Sequence, residues 1–157
     1  MQRLSVLSSK PFETVVAAFE AAIGHPNIDV FQTAMGAAKT FAELEGIVHK
    51  AQGPSGFIEF IRFNLGVVLR KESGQDTPKI LRLMIGNPLV MKEMAKHVPD
   101  AASYAPVTVL IDERPDGVHL SYDTMAGFLV PYGNAEALRI ARDLDAKIEN
   151  LLRQAAA

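Results

Sequence analysis

Three residues that could together perform acid–base chemistry alternate along one short stretch, 118–123. His119, Ser121 and Asp123 carry an imidazole, a hydroxyl and a carboxylate, and a strand would point all three to the same face. Same-face neighbours along a strand lie roughly 6.6 Å apart, which is beyond direct hydrogen bonding between parallel side chains. The stretch therefore favours a polar sheet face, covered by solvent or by a partner subunit, over a nucleophilic triad.

An acid–base pair is the second interpretation of the same face. Asp123 or His119 would act as the acid or base, and Arg82 would supply an electrostatic clamp from a neighbouring strand. Such an enzyme needs all three side chains in one concave pocket, which a flat or partner-covered sheet would lack.

A second candidate site is the turn Gly86-Asn87-Pro88, which joins an alternating apolar strand to a helix. Gly86 permits a positive φ, and Pro88 suits the first helical position. The free N–H groups of Asn87, Leu89 and Val90, together with the helix dipole, favour a bound anion. The competing interpretation is that Asn87 caps its own helix and satisfies those donors. We predict this cap, and either a positive φ or a close backbone neighbour at Gly86.

The helix after this turn is the third candidate, because it is rich in methionine. Met91, Met94 and His97 recur at intervals of three residues. Methionine and histidine are axial haem ligands in some proteins, and a methionine-lined cavity suits a flat ligand. Methionines at this spacing more often belong to the core, so haem is the less favoured cofactor. His25 and His49 have no partner at ligand spacing, and no metal site is predicted.

The elements that position these residues follow from the apolar periodicity. Helices are predicted where apolar residues recur every three or four positions, and strands where they alternate. The first half is predicted as a strand over 3–7, a helix over 11–23 and a helix-rich segment over 27–52 in which a new helix begins at Thr40. One bent or two short strands follow over 57–69, with a bulge at Gly66, and a hairpin turn over 71–78 leads to a strand over 80–85. The second half is predicted as a helix over 88–98, a hairpin of strands over 107–112 and 118–123, and a last helix capped by Asn134.

Composition limits the class of protein. The 157 residues suit a single domain over 1–157, and 48% hydrophobic with 22% charged residues is ordinary for a globular chain. A net charge of −2 gives no support to nucleic-acid binding. The chain has no cysteine, which excludes disulfides and cysteine metal sites. No apolar run approaches about 18 residues, so no membrane span is predicted. The opening residues lack the apolar run of a signal peptide, so we expect a cytoplasmic protein.

Three motifs resemble the prokaryotic family catalogued as domain of unknown function 302. They are the Gly86-Asn87-Pro88 turn, Tyr104-Ala105-Pro106 before the next strand, and Ser121-Tyr122-Asp123. The resemblance implies a TATA-binding-protein-like (TBP-like) architecture and pairing as a homodimer. Segment 27–56 departs from the family in being longer and more helical. The elements and the resemblance together predict an α+β fold of two layers, with a mostly antiparallel sheet and helices on one face, in the order β-α-β-β-α-β-β-α.

We expect a non-catalytic homodimer that holds a small, partly apolar molecule between the sheet and the methionine-bearing helix. The alternatives are the acid–base enzyme and a structural module that docks partners through its sheet face or an edge strand. The residues predicted to bind the ligand are Arg82, Met84, Gly86, Asn87, Met91, Met94, His97, Tyr104, His119 and Asp123.

Overall fold

A single five-stranded sheet organises the chain, and the computed structural model describes all residues 1–157. The strands are β1 (Arg3–Ser8), β2 (Ile58–Asn64), β3 (Ile80–Gly86), β4 (Val107–Arg114) and β5 (Gly117–Asp123). They lie in the order β1-β5-β4-β3-β2, and every neighbouring pair is antiparallel. The helices are α1 (Phe12–Ala22), α2 (Ile28–Ala37), α3 (Phe41–Ala51), α4 (Gly66–Ser73), α5 (Pro88–Ala95), α6 (Met125–Leu129) and α7 (Ala135–Ala156), with short 3-10 helices at Pro99–Ser103 and Val130–Tyr132.

One face of the sheet carries the hydrophobic core. Alternate residues of the inner strands point to that face, and burying each large aliphatic side chain stabilises the fold by roughly 1.5–3 kcal/mol. The opposite face keeps most of its side chains exposed or half-buried, as the alternation of β5 predicts. The predicted two-layer α+β fold is therefore confirmed. The core residues of the three inner strands are Leu81, Leu83, Ile85, Val107, Val109, Ile111, Val118, Leu120 and Tyr122.

The last helix, α7, covers the core with one apolar stripe. Its cap is Asn134, whose Oδ1 accepts a hydrogen bond from the Ala137 N–H at 2.9 Å, as predicted. Ala137 and Ala141 are buried, and their small side chains let the helix approach its neighbours closely. The neighbouring Leu138 is half-buried.

The segment 27–56 folds into a helical hairpin, α2 and α3, with a small core of its own. Phe31, Val48 and Ile58 are buried together there. The hairpin is held close to the end of α1 at Gly24, where a Cβ atom would lie only 1.9 Å from the Ala51 carbonyl oxygen. Glycine is therefore required at position 24. The predicted helix start at Thr40 is confirmed, because the Thr40 side chain caps α3.

The interpretation of 57–69 as strand is wrong in its second half. Strand β2 ends at Asn64, and Gly66 begins helix α4 instead of forming a bulge. The chain turns there because Gly66 packs against the backbone of the next strand. A Cβ on Gly66 would lie 2.6 Å from the Ile80 nitrogen. The pairing of β2 with β3 does shift in register, but between Glu59 and Ile61. Helix α4 also takes up the beginning of the hairpin turn predicted over 71–78.

A hydrogen-bond cluster joins β5, α6 and α7 at the half-buried Asp145. The Tyr122 hydroxyl donates to Asp145 Oδ1 at 2.6 Å. The N–H groups of Met125 and Ala126 donate to the same carboxylate at 2.8 and 3.0 Å. Burial, followed by the nearby Asp145 charge, raises the pKa of the Tyr122 phenol above its usual range. Asp145 thus caps α6 and fixes it to α7.

Replacing Tyr122 with Phe should make stability less sensitive to alkaline pH. An unfolded tyrosine loses its proton near pH 10, while the raised pKa keeps Tyr122 protonated in the folded protein. Its contribution is therefore complete below about pH 10 and decreases as pH rises above that value. Urea unfolding measures the free energy of unfolding at about pH 8 and about pH 11. The decrease between the two pH values should be larger for the wild type than for Tyr122→Phe. Equal losses in the two proteins would contradict this assignment.

Candidate functional site

An apolar cavity of about 190 Å³ lies between the Gly86–Pro88 turn, α5 and the start of β4. Eight of its twelve lining residues are hydrophobic, and none of the twelve carries an ionisable side chain. We call it the methionine cavity. Four of the predicted residues line it: Gly86, Asn87, Met91 and Met94.

The walls of the methionine cavity come from distant parts of the chain. Met35 of α2 and Phe60 of β2 face Met91 and Met94 of α5. Phe60 packs edge-on against Phe31, with ring centroids 6.2 Å apart. Methionine side chains rotate freely about three bonds and are polarisable, so these walls can adapt to a bound molecule.

The Asn87 side chain holds the turn in place, and the predicted cap is confirmed. Asn87 Oδ1 accepts from the Leu89 N–H at 2.9 Å. Its amide Nδ2 donates to Gln52 Oε1 at 2.9 Å and to the Gly56 carbonyl oxygen at 2.8 Å. The Val90 N–H donates to the Asn87 carbonyl oxygen at 3.0 Å. The donors of Leu89 and Val90 that the anion interpretation needs are therefore already satisfied.

Gly86 has neither the positive φ nor the close backbone neighbour that were predicted as alternatives, and positive φ occurs only at four other glycines. A Cβ on Gly86 would lie 3.4 Å from Pro106 and 3.9 Å from Phe60, which is ordinary contact. Gly86 is therefore under no backbone strain. Because Pro106 and Phe60 both line the methionine cavity, the missing side chain helps to keep the cavity open.

A second cavity, of about 370 Å³, lies on the uncovered face of the sheet. We call it the sheet-face cavity. Four other predicted residues line it: Arg82, Met84, Tyr104 and Asp123. Asp123 is paired with Arg3, whose guanidinium lies 3.4 Å from the carboxylate.

An aromatic cluster borders the sheet-face cavity. The rings of Tyr104 and Phe128 stack with centroids 4.7 Å apart and an interplanar angle of 8°. The hydroxyls of Tyr104 and Tyr132 lie 2.8 Å apart, and this hydrogen bond raises the pKa of the Tyr132 phenol above its usual range. Tyr104 is thus fixed at both its ring and its hydroxyl.

The two histidines that were predicted to bind the ligand, His97 and His119, lie outside both cavities. His119 Nε2 is 2.7 Å from Asp116 Oδ1, and this contact lowers the pKa of the Asp116 carboxyl. His119 therefore does not join Arg82 and Asp123 in one pocket, as the acid–base alternative requires. His97 is exposed and does not accompany Met91 in the methionine cavity, so the structure does not bring together the Met–His pair considered for haem.

Eight of the twelve lining residues of the methionine cavity were not predicted from the sequence, Met35 and Phe60 among them. Met35 lies in a helix-rich segment without strong periodicity, and Phe60 lies beside the irregularity of β2. Neither has a local signal that connects it to α5. No group of three acidic or histidine side chains converges on a metal position, and none of the helices is both long and apolar enough to cross a bilayer.

The antiparallel sheet with helices on one face defines a two-layer α+β domain. The model of the family described as "Domain of unknown function DUF302" matches residues 35–155, so the chain belongs to this family, as its motifs indicate. The crystal structure of an uncharacterized conserved protein DUF302 from Bacillus stearothermophilus superposes with a TM-score of 0.68 at 10% identity, covering 99% of this chain and 98% of that chain. That likeness shows the fold alone. No curated protein matches the sequence.

Replacing Asn87 with Ala should destabilise the protein by about 2–3 kcal/mol. Loss of the cap costs about 1 kcal/mol, and the rest comes from the Gly56 carbonyl and the Gln52 side chain, which lose their donor. Asn27→Ala is the matched control, because Asn27 also caps a helix, through the Val30 N–H, and should cost only about 1 kcal/mol. Urea unfolding measures both. A cost for Asn87→Ala no greater than the control would rule out the tethering role.

Proposed function

We propose that the protein binds a small, largely apolar molecule in the methionine cavity and does not act on it chemically. The observation that carries the proposal is the cavity of about 190 Å³ itself. Engineered apolar cavities of about 150 Å³ bind benzene. The methionine cavity therefore suits an aromatic or compact aliphatic molecule of the size of benzene or slightly larger.

The polar groups near the methionine cavity also favour an apolar ligand. The Asn87 side chain is its main polar feature, and its oxygen and amide hydrogens are engaged by Leu89, Gln52 and Gly56. A charged ligand would be desolvated there without a partner, which is unfavourable. Because no lining side chain can exchange a proton, the cavity supports binding without acid–base catalysis.

Filling the cavity should abolish ligand binding. Val90 lines the methionine cavity, and Val90→Phe adds a ring to it. The probes are benzene, toluene and indole, each tested by thermal unfolding of the wild type. A ligand at one hundred times its Kd adds about 2.7 kcal/mol to the free energy of unfolding, and Val90→Phe should lose this increase.

The matched control is Val30→Phe, which makes the same change on α2 at a position that is 66% exposed. This variant should keep the response to ligand. The proposal fails if none of the probes stabilises the wild type, or if both variants respond equally.

We also propose that the protein forms a homodimer through an apolar surface at the β2 edge of the sheet. Ile61 and Phe63 of β2 are 43% and 41% exposed. An apolar edge strand of this kind is a docking surface. A second copy is the favoured occupant, because an edge strand that pairs antiparallel with its own copy generates a two-fold axis and buries the same side chains from both chains.

Light scattering at low micromolar concentration should give twice the 17.0 kDa mass of one chain. Phe63→Glu should shift the mass to the monomer, because a charge would be buried in the interface. Phe41→Glu is the control, since Phe41 is 52% exposed on α3 and its ring lies beside Lys92 of α5. A wild type that stays monomeric would exclude the dimer.

A further inference from the structure

Arg82 is a cation without an ion-pair partner on an inner strand of the sheet. It lies on the uncovered face of β3, opposite Phe63 of β2. Its guanidinium forms no ion pair, and its carbon Cζ lies 5.6 Å from the centroid of the Phe63 ring. The ring orients the guanidinium through a cation–π contact. The five N–H donors of the planar group stay available, and their geometry matches a carboxylate.

Two further donors line the sheet-face cavity beside Arg82. Ser103 ends a 3-10 helix, and Thr108 lies opposite Met84 in the β3–β4 ladder. Both line the cavity, and neither hydroxyl is hydrogen-bonded to another protein group. A guanidinium and two free hydroxyls in one cavity favour a ligand that accepts hydrogen bonds.

The charges around the cavity select a ligand with one negative charge. Asp123 is the only carboxylate that lines the cavity, and Arg3 neutralises it at 3.4 Å. Arg82 is then the only lining cation, and no carboxylate pairs with it. A single carboxylate would balance it, whereas a phosphate dianion or a dicarboxylate would place uncompensated charge near Asp123.

The remaining wall of the cavity is largely apolar. Phe128 stacks on Tyr104, and the Tyr104 hydroxyl is held by Tyr132. Met84 adds a flexible side chain. The volume of about 370 Å³ falls in the range of roughly 300–1,000 Å³ that is typical of small-molecule sites.

We propose that the sheet-face cavity binds a small organic monocarboxylate with an aromatic or other apolar body. Arg82 holds the carboxylate, Ser103 and Thr108 donate to it, and the Tyr104–Phe128 stack receives the apolar body. This site is distinct from the methionine cavity. The two cavities share only Pro106 and Val107 among their lining residues, so either site can bind when the other does not.

Calorimetric titration of the full chain with phenylacetate tests the proposal. Acetate lacks the apolar body, and 2-phenylethanol lacks the carboxylate. We expect saturable binding of one phenylacetate per chain and at least tenfold weaker binding of both controls. A wild type that shows no saturable binding of phenylacetate overturns the proposal.

Two variants test whether Arg82 contacts the carboxylate of phenylacetate. Arg82→Gln should weaken phenylacetate binding at least tenfold, because a charge-assisted bidentate contact is lost. Arg142→Gln removes the same charge from α7, at another arginine without an ion pair, and should change the affinity less than twofold. Equal weakening by both variants would mean that overall charge, not the site, attracts the ligand, and would overturn the proposal.

A partner subunit is the other occupant that Arg82 could face. Light scattering of Arg82→Gln separates the two cases. An unchanged mass together with lost phenylacetate binding supports the ligand site. If the wild type binds no phenylacetate and Arg82→Gln alters the mass, Arg82 contacts a second chain and the carboxylate site is wrong.

Discussion

The burial of one face of the sheet is the constraint on which the rest of the structure depends. Strands β3, β4 and β5 place alternate aliphatic side chains against the helices, and a slip of one residue in any of them would move those side chains to the other face. The same alternation gathers polar and charged side chains on the uncovered face. The core and the sheet-face cavity are therefore two consequences of one pattern.

Asn87 connects this sheet to the part of the chain that completes the methionine cavity. Its side chain caps α5 and also bonds to Gln52 and Gly56, which follow α3. The helical hairpin formed by α2 and α3 is thereby held against the turn, and Met35 reaches the cavity. A single asparagine thus links helix capping, the docking of the helical hairpin and the shape of a candidate binding site.

The two cavities lie on either side of the chain that leads into β4. Pro106 and Val107 border both, yet the chemistry on the two sides differs. The helix side offers methionine and aliphatic groups with no charge, and the open side offers a guanidinium, hydroxyls and stacked rings. This separation follows from the sheet, because a strand sends successive side chains to opposite faces.

The sequence by itself determined the strands β3, β4 and β5, the helix α7, the faces of the sheet and the Asn87 cap. Each of these rests on local periodicity or on a cap only a few residues from the groups it bonds. Eight of the ten predicted ligand residues line one of the two cavities, but the sequence could not show that they divide between two sites. Nor could it show that His97 and His119 point elsewhere.

Only the tertiary structure decided the elements whose signals are not local. The run from Leu65 to Leu69 has strand-like composition, yet Gly66 packs against the backbone of β3 and the chain forms a helix there. Met35 and Phe60 meet Met91 because α2 and β2 are brought to α5 by contacts distant in sequence. Intrinsic propensities differ by about 1 kcal/mol or less per residue, and packing of this kind outweighs them.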